Sequence, residues 1–198
     1  MPYNPEIHHR RTIRLKEYDY SQAGAYFVTI CAWQRECLFG NIVDGKMFLN
    51  DLGTIIKKIW CNLPEHFHNT SLDEYVIMPN HFHGILTINK TVGAKQASSA
   101  LPAFVGDNAA NNDGNADKGR ASIHGTISDS FSAVIQNFKS VSSRKINKYR
   151  NSPGCPVWQR NYYERVIRND DELSRAREYI VNNPMKWELD KENPVNGN

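Results

Sequence analysis

The stretch MPNHFHGILTI carries two histidines, His81 and His83, on either side of Phe82. Successive side chains of a β-strand point to opposite faces, so the two imidazoles share one face and Phe82 occupies the other. Neutral imidazole commonly binds divalent transition metals, and a pair on a rigid strand forms half of such a site. The spacing therefore indicates a metal site, with ordinary surface or core histidines as the alternative.

The same tripeptide occurs a second time, as His66, Phe67 and His68. This copy follows Pro64 in a polar stretch that reads as a loop, so no strand fixes its imidazoles toward one point. We therefore expect the metal at His81 and His83.

A second candidate group lies in DDELSRAREYIVNNP, where helical spacing places Tyr179 and Asn183 one turn apart. The Asn183 carboxamide oxygen could complete a metal site, and the Tyr179 phenolate could attack a phosphate held there. The alternative is a tyrosine that packs its ring with its hydroxyl in water, beside an asparagine that caps the helix end.

Hydrophobic periodicity predicts the elements that must position these residues. They suggest an α+β fold, a ferredoxin-like sandwich with helices packed on a mostly antiparallel sheet. Asn169 is the expected N-cap of the last helix, with Glu172 at the capping-box position, and Pro184 is expected to end that helix. The predicted elements in chain order are strands over 25–33 and 45–50, a helix over 51–63 stopped by Pro64, strands over 72–78 and 81–88, a helix within 127–150, an extended segment over 155–167 and a helix over 170–183.

Composition predicts one domain over residues 1–198, with a flexible insertion at about 89–122. The insertion is rich in Ala, Asn and Gly and has few large apolar residues to anchor it. Four cysteines without a C-x-x-C pair, and no apolar signal-peptide core, favour a reducing cytoplasm. No apolar run approaches the roughly 20 residues of a membrane-spanning helix.

The distribution of charge favours a polyanionic partner. The net charge of the chain is only +3, but the segment from Phe131 to Arg168 contains eight cations and one carboxylate. Neutralising phosphates releases counterions and dominates nucleic-acid affinity. A solvated basic helix face is the alternative reading.

Three segments together resemble a known family. MPNHFHGI, VWQRNYYERVIRNDDEL and REYIVNNPMKW, in this order and spacing, are similar to the single-tyrosine HUH transposases, especially the REP-associated tyrosine transposases. The resemblance spans roughly Thr12 to Glu188 outside the insertion.

The resemblance implies an activity and assigns the roles in it. His81, His83 and Asn183 would bind Mg²⁺ or Mn²⁺, and Tyr179 would be the nucleophile that cleaves and rejoins single-stranded DNA through a 5′-phosphotyrosine. Tyr162 and Tyr163 are rival tyrosines, which the resemblance assigns to structural or DNA-facing positions. The protein would act as a monomer or homodimer.

The expected DNA, single-stranded and hairpin-containing, would contact the basic segment and its aromatic residues. Two features depart from the family pattern: Arg165 stands where relatives often have histidine, and the insertion has no counterpart in compact members. The residues predicted to bind DNA are Lys139, Arg144, Lys145, Lys148, Trp158, Arg160, Tyr162, Arg165 and Arg168.

Two other functions remain open at this point. One is a domesticated nucleic-acid-binding protein that keeps the fold without catalysis. The other is a metal-dependent phosphohydrolase that uses the histidines without a covalent intermediate. A protein–DNA adduct would distinguish them, because only a tyrosine nucleophile forms one.

The composition of the insertion generates a first testable prediction. Deleting Gly93 to Lys118 should leave a folded protein, because loop-closure entropy grows only logarithmically with length and the segment has little apolar surface to bury. Thermal unfolding followed by circular dichroism checks this. Loss of a cooperative transition would show that the segment belongs to the core.

Overall fold

The computed structural model describes residues 19–20, 22–89, 129–190 and 192–196. Apart from Asn89, the predicted insertion lies outside the described residues, as does the basic N-terminal arm. The elements in chain order are β1 (Gly24–Cys31), a 3-10 turn (Trp33–Arg35), β2 (Gly40–Val43), β3 (Lys46–Leu49), α1 (Asp51–Cys61), α2 (Leu63–His66), β4 (Thr70–Ile77), β5 (His81–Ile88), α3 (Phe131–Tyr149), β6 (Tyr163–Ile167), α4 (Asp170–Asn182) and a 3-10 helix (Pro184–Leu189).

The main sheet has the strand order β4-β5-β1-β6, and every neighbouring pair is antiparallel. Helix α1 lies between β1 and β4 in the chain, and α3 lies between β5 and β6. A β-α-β-β-α-β chain with this strand order is the ferredoxin-like arrangement. The predicted α+β fold with helices on an antiparallel sheet is therefore confirmed.

One face of the sheet carries an aromatic core. Phe82 of β5 contacts Trp60 of α1 and Phe138 of α3, with ring centroids 4.5 Å and 5.3 Å away, and all three side chains are fully buried. On β1, Tyr26 and Val28 belong to the same cluster. Helices α1 and α3 thus cover this face, while α4 packs against β4 and β5.

The sequence positions α4 through its N-cap and through an ion pair within the helix. The Asn169 side chain accepts a hydrogen bond from the Glu172 backbone N–H at 2.8 Å, as the predicted N-cap requires. Further along the helix, Arg177 makes a two-point ion pair with Asp73 through distances of 2.8 Å and 2.6 Å. Asp73 lies at a register irregularity of β4, between Leu72 and Tyr75, which directs it toward α4.

Some predicted boundaries are wrong. Residues 40–43 form a strand that was not predicted, joined to β3 by an Asp44-Gly45 turn with φ of 49° and 68°, a dipeptide typical of tight hairpins. Pro64 does not end helical structure: it lies in the first turn of α2, a position that tolerates the missing N–H. His66 therefore belongs to a short helix and not to a loop.

The helical path also continues past Pro184. Asn183 has helical angles of −59° and −44°, and Pro184 begins a 3-10 helix that runs to Leu189. This extension returns the chain toward the sheet. Among the described helices, none combines the length and the hydropathy needed to cross a membrane.

The ion pair on α4 gives a second prediction. Arg177→Met should lower the urea midpoint of unfolding slightly at pH 7, because both partners are partly exposed. Arg177 lowers the pKa of Asp73 chiefly through their hydrogen bond. The stabilisation is therefore complete above the unfolded pKa of about 3.9 and disappears as the pH falls through the lower folded pKa.

Urea unfolding at pH 7 and at successively lower pH measures this effect, with Arg175→Met as an exposed arginine control on the same helix. An equal effect of the two substitutions, or a difference that grows on acidification, would contradict the assigned role of the pair.

Candidate active site

His81 and His83 lie on the face of the sheet opposite the aromatic core. Their ring centroids are 4.6 Å apart, and both side chains are buried. Phe82 between them packs into the core with Trp60. The shared face predicted from strand alternation is therefore confirmed, and both imidazoles are held away from bulk water.

Asn80 fixes which nitrogen of His81 carries the proton. Its Nδ2 atom donates to the backbone carbonyls of Arg35 and Glu192, which orients the amide. Its Oδ1 atom then lies 2.9 Å from His81 Nδ1. Because an amide oxygen only accepts, Nδ1 must be the protonated nitrogen, and in the neutral ring Nε2 keeps its lone pair.

Thr29 holds His83 in a comparable way from the neighbouring strand. Thr29 and His83 are cross-strand partners, and Thr29 Oγ1 lies 2.8 Å from His83 Nδ1. The His83 ring also stacks on Phe27, with centroids 5.4 Å apart. These contacts direct His83 Nε2 toward α4, where the Tyr179 hydroxyl oxygen lies 3.5 Å away.

Tyr179 and Asn183 meet the histidines from above the sheet. The Tyr179 side chain is 44% exposed, whereas Asn183 is 2% exposed. The Asn183 carboxamide lies beside both His81 and Tyr179. Its Oδ1 atom and the His81 Nε2 atom are nonetheless buried without a hydrogen-bond partner among the described residues.

Two carboxylates reach the same place from the C-terminal segment. Asp190 Oδ2 lies 3.9 Å from His81 Nε2, and Glu192 pairs with Arg35 at 3.1 Å. Sequence reasoning missed both residues. No periodicity relates them to His81, more than a hundred positions earlier, and only the 3-10 helix after Pro184 brings them back.

Burial and charge set the protonation of the site. Burial lowers the pKa of His81, and this outweighs the attraction of Asp190 and Glu192. Burial, followed by the field of Asp190, raises the pKa of Tyr179 above its usual value. The ground state is therefore a neutral imidazole beside a protonated phenol, and added positive charge would favour the phenolate.

The donor atoms at this point fit a divalent cation. His81 Nε2 and Asn183 Oδ1 are buried acceptors that no hydrogen bond satisfies, and His83 Nε2 lies on the same face. Buried acceptors of this kind are costly unless a proton or a metal joins them. Within the described ranges, no three His, Cys, Asp or Glu side chains already form a metal cluster. The candidate centre therefore depends on the Asn183 amide.

A cleft of about 580 Å³ opens beside Tyr179 and His83. Its lining includes the cations Arg35, Arg165 and Arg175, of which Arg165 also pairs with Glu172 at 3.2 Å. Sequence reasoning identified Arg165 but missed the other two. We refer to this space as the site cleft, since His83 and Tyr179 both line it.

The rival tyrosines, Tyr162 and Tyr163, also line the site cleft. Tyr163 of β6 and His83 of β5 both pair with Thr29 of β1, from opposite sides. The backbones of Tyr163 and His83 are therefore two strand spacings, about 10 Å, apart. The Tyr162 ring contacts Phe131 of the core, with centroids 6.1 Å apart. Tyr179, in contrast, places its hydroxyl oxygen 3.5 Å from His83 Nε2.

Most of the predicted DNA-binding residues lie elsewhere, along a groove of about 1040 Å³ beside α3, which we call the α3 groove. Tyr162 lines both spaces, while Lys145 and Arg168 are exposed outside these two linings. The predicted residues that line the α3 groove are Lys139, Arg144, Lys148, Trp158, Arg160 and Tyr162.

Two of these residues have structural contacts. Trp158 is buried, packs on Phe39, and donates its indole N–H to Ser142 Oγ at 2.8 Å, so it offers little ring surface for the predicted base stacking. The Lys139 ammonium donates to the backbone carbonyls of residues 159–161, and burial lowers its pKa to about 8. Lys139 therefore fixes the loop that separates the two spaces.

The fold is similar to that of a solved REP-associated tyrosine transposase bound to a REP hairpin, with a TM-score of 0.53 and 16% identity over 87% of this chain and 73% of the other. The chain thus has a transposase-like fold. It is also 42% identical over 195 residues to an uncharacterized protein of Haemophilus influenzae, covering 96% of each chain, and belongs to the same family as that protein. No protein-family model matches the chain.

The arrangement of the histidines gives a third prediction. His81→Ala or His83→Ala should weaken Mn²⁺ binding at least about ten-fold, since each removes an imidazole from the buried face. His66→Ala and His68→Ala should leave binding unchanged, because both side chains are exposed outside the main sheet. Isothermal titration calorimetry measures all four variants. If the exposed pair proved essential and the strand pair dispensable, the metal would be wrongly placed.

Proposed function

We propose that the protein is a metal-dependent transposase or endonuclease that cleaves and rejoins single-stranded DNA through a 5′-phosphotyrosine. The observation that carries the proposal is the 3.5 Å approach of the Tyr179 hydroxyl to His83 Nε2, beside the unsatisfied acceptors of His81 and Asn183. A nucleophile that lines an open cleft, with a set of buried cation ligands beside it, supplies the parts that phosphodiester transesterification requires. The transposase-like fold supports the same reading.

His81, His83 and Asn183 would hold Mg²⁺ or Mn²⁺. When bound, the cation supplies Lewis-acid stabilisation of the scissile phosphate oxygens and favours the Tyr179 phenolate. Asn80 and Thr29 keep the imidazoles oriented, so the ligands need little rearrangement. The half-exposed Tyr179 ring allows its proton to pass to solvent.

The chemical step exchanges one phosphodiester for another. The Tyr179 oxygen forms a bond to phosphorus, the bond from phosphorus to the 3′-oxygen breaks, and that oxygen takes a proton to become a 3′-hydroxyl. Because a phosphodiester remains in the covalent link, a 3′-hydroxyl can later attack it, release the tyrosine and rejoin the strand. The two half-reactions balance without ATP.

The DNA backbone would lie in the site cleft against Arg35, Arg165 and Arg175. The α3 groove would hold a further part of the DNA through Arg144, Lys148 and Arg160, which are exposed. A hairpin-containing single strand remains the proposed substrate. Contacts to phosphates of this kind weaken as salt concentration rises.

A fourth prediction concerns the nucleophile. Tyr179→Phe should abolish the covalent protein–DNA adduct while leaving folding and DNA binding nearly unchanged, because only the hydroxyl is lost. Tyr162→Phe and Tyr163→Phe should retain the adduct. Asn183→Ala should slow adduct formation and raise the Mn²⁺ concentration required, since it removes a ligand but not the nucleophile.

The test is incubation with a panel of single-stranded hairpins and Mn²⁺, followed by denaturing electrophoresis and peptide mapping of the adduct. A DNA-linked peptide that contains Tyr162 or Tyr163 would overturn the assignment of Tyr179. DNA binding without an adduct would favour a non-catalytic nucleic-acid-binding protein, and cleavage without an adduct would favour a phosphohydrolase.

A further inference from the structure

The Asp190 carboxylate has a fixed orientation toward the candidate centre. Its Oδ1 atom accepts the backbone N–H of Glu192 at 2.8 Å, which leaves Oδ2 as the atom 3.9 Å from His81 Nε2. The Asp190 side chain is only 8% exposed. A carboxylate is rarely buried beside a ring nitrogen unless a cation or a hydrogen bond compensates it.

A direct hydrogen bond does not account for this contact. The separation of 3.9 Å exceeds hydrogen-bond length, and the Asn80 amide oxygen already requires the proton of His81 on Nδ1. In the neutral ring, a nitrogen lone pair therefore faces a carboxylate oxygen. The two atoms repel one another unless positive charge lies between them.

The separation of the two atoms is close to that between two ligands of one cation. With metal–ligand bonds of about 2.1 Å, octahedral ligands are about 3 Å apart at adjacent corners and about 4.2 Å at opposite corners. The observed 3.9 Å lies between these two values and equals neither, so direct ligation of one cation requires one of the two side chains to move. Asp190 does not form a preformed metal cluster with His81 and His83. Its coordination to the cation therefore requires a small movement of the side chain or a bridging water.

Charge gives an independent reason for a carboxylate here. Two neutral imidazoles and an amide carry no negative charge, whereas Mg²⁺ and Mn²⁺ prefer oxygen ligands and are commonly bound through carboxylates. Glu192 is less suited to the role because Arg35 pairs with it at 3.1 Å.

We propose that Asp190 supplies the anionic ligand of the cation centre, directly or through one bound water. This inference rests on the proposed metal site of His81, His83 and Asn183. The C-terminal segment thereby becomes part of the centre and not only a support for the fold.

The test is calorimetric titration of the full chain with Mn²⁺, in the absence of DNA. Asp190→Asn should weaken Mn²⁺ binding at least about ten-fold, because it removes the charge but keeps the oxygen that accepts the Glu192 N–H. Glu192→Gln is the matched control, with the same loss of charge in the same segment, and should change the affinity about two-fold or less. His81→Ala reports whether Mn²⁺ occupies this centre.

Thermal unfolding separates a ligand from a structural partner. If Asp190 binds the cation, Asp190→Asn should leave the metal-free melting temperature unchanged or raised, and should reduce the increase that Mn²⁺ produces in the wild type. A lowered metal-free melting temperature with unchanged Mn²⁺ affinity would show instead an ion pair with protonated His81, and would overturn the inference.

The outcomes also separate this inference from the proposed function. Mn²⁺ binding that is lost in His81→Ala but unchanged in Asp190→Asn would overturn the role of Asp190 and leave the metal site intact. Absence of Mn²⁺ binding to the wild type would overturn both. An equal loss in Asp190→Asn and Glu192→Gln would show a general charge effect and would also overturn the specific role of Asp190.

Discussion

The contact of Phe82 with Trp60 and Phe138 fixes everything else at the candidate centre. β5 is paired on both edges, and its side chains alternate between the two faces of the sheet. Burying Phe82 among aromatic rings therefore forces His81 and His83 onto the opposite face. A shift of β5 by one residue would place the imidazoles in the core and the Phe82 ring at the candidate centre. Burial of Phe82 by the hydrophobic effect therefore decides which face of the sheet carries the histidines.

Three separate parts of the chain then close over the histidines. Helix α4 and its C-cap supply Tyr179 and Asn183. The turn before β5 supplies Asn80, and the segment after the 3-10 helix supplies Asp190 and Glu192. Asn80 connects two of these parts, since one amide contacts His81 and the backbone of Glu192. The position of the C-terminal segment and the orientation of the His81 ring are thus coupled through the Asn80 side chain.

The loop over residues 157–162 has a comparable role between the two open spaces. Val157 and Trp158 anchor the loop in the core, and the Lys139 ammonium donates hydrogen bonds to the backbone carbonyls of Gln159 and Arg160. Gln159 and Tyr162 line both the site cleft and the α3 groove. The half-buried Lys139, with its lowered pKa, is thus a structural cation here, although the sequence analysis placed it among the cations that bind DNA.

The sequence by itself determined the features that depend on local periodicity. The shared face of His81 and His83, the helix that carries Tyr179, its Asn169 cap and the α+β class all follow from side-chain spacing and capping chemistry, which act over a few residues. The tertiary structure alone decided which distant groups meet. Asp190 lies beside His81, Thr29 orients His83, and Trp158 and Lys139 turn inward, because strand order and the return of the C-terminal segment bring these residues together. No spacing along the chain encodes those contacts, since their energy comes from packing between elements far apart in sequence.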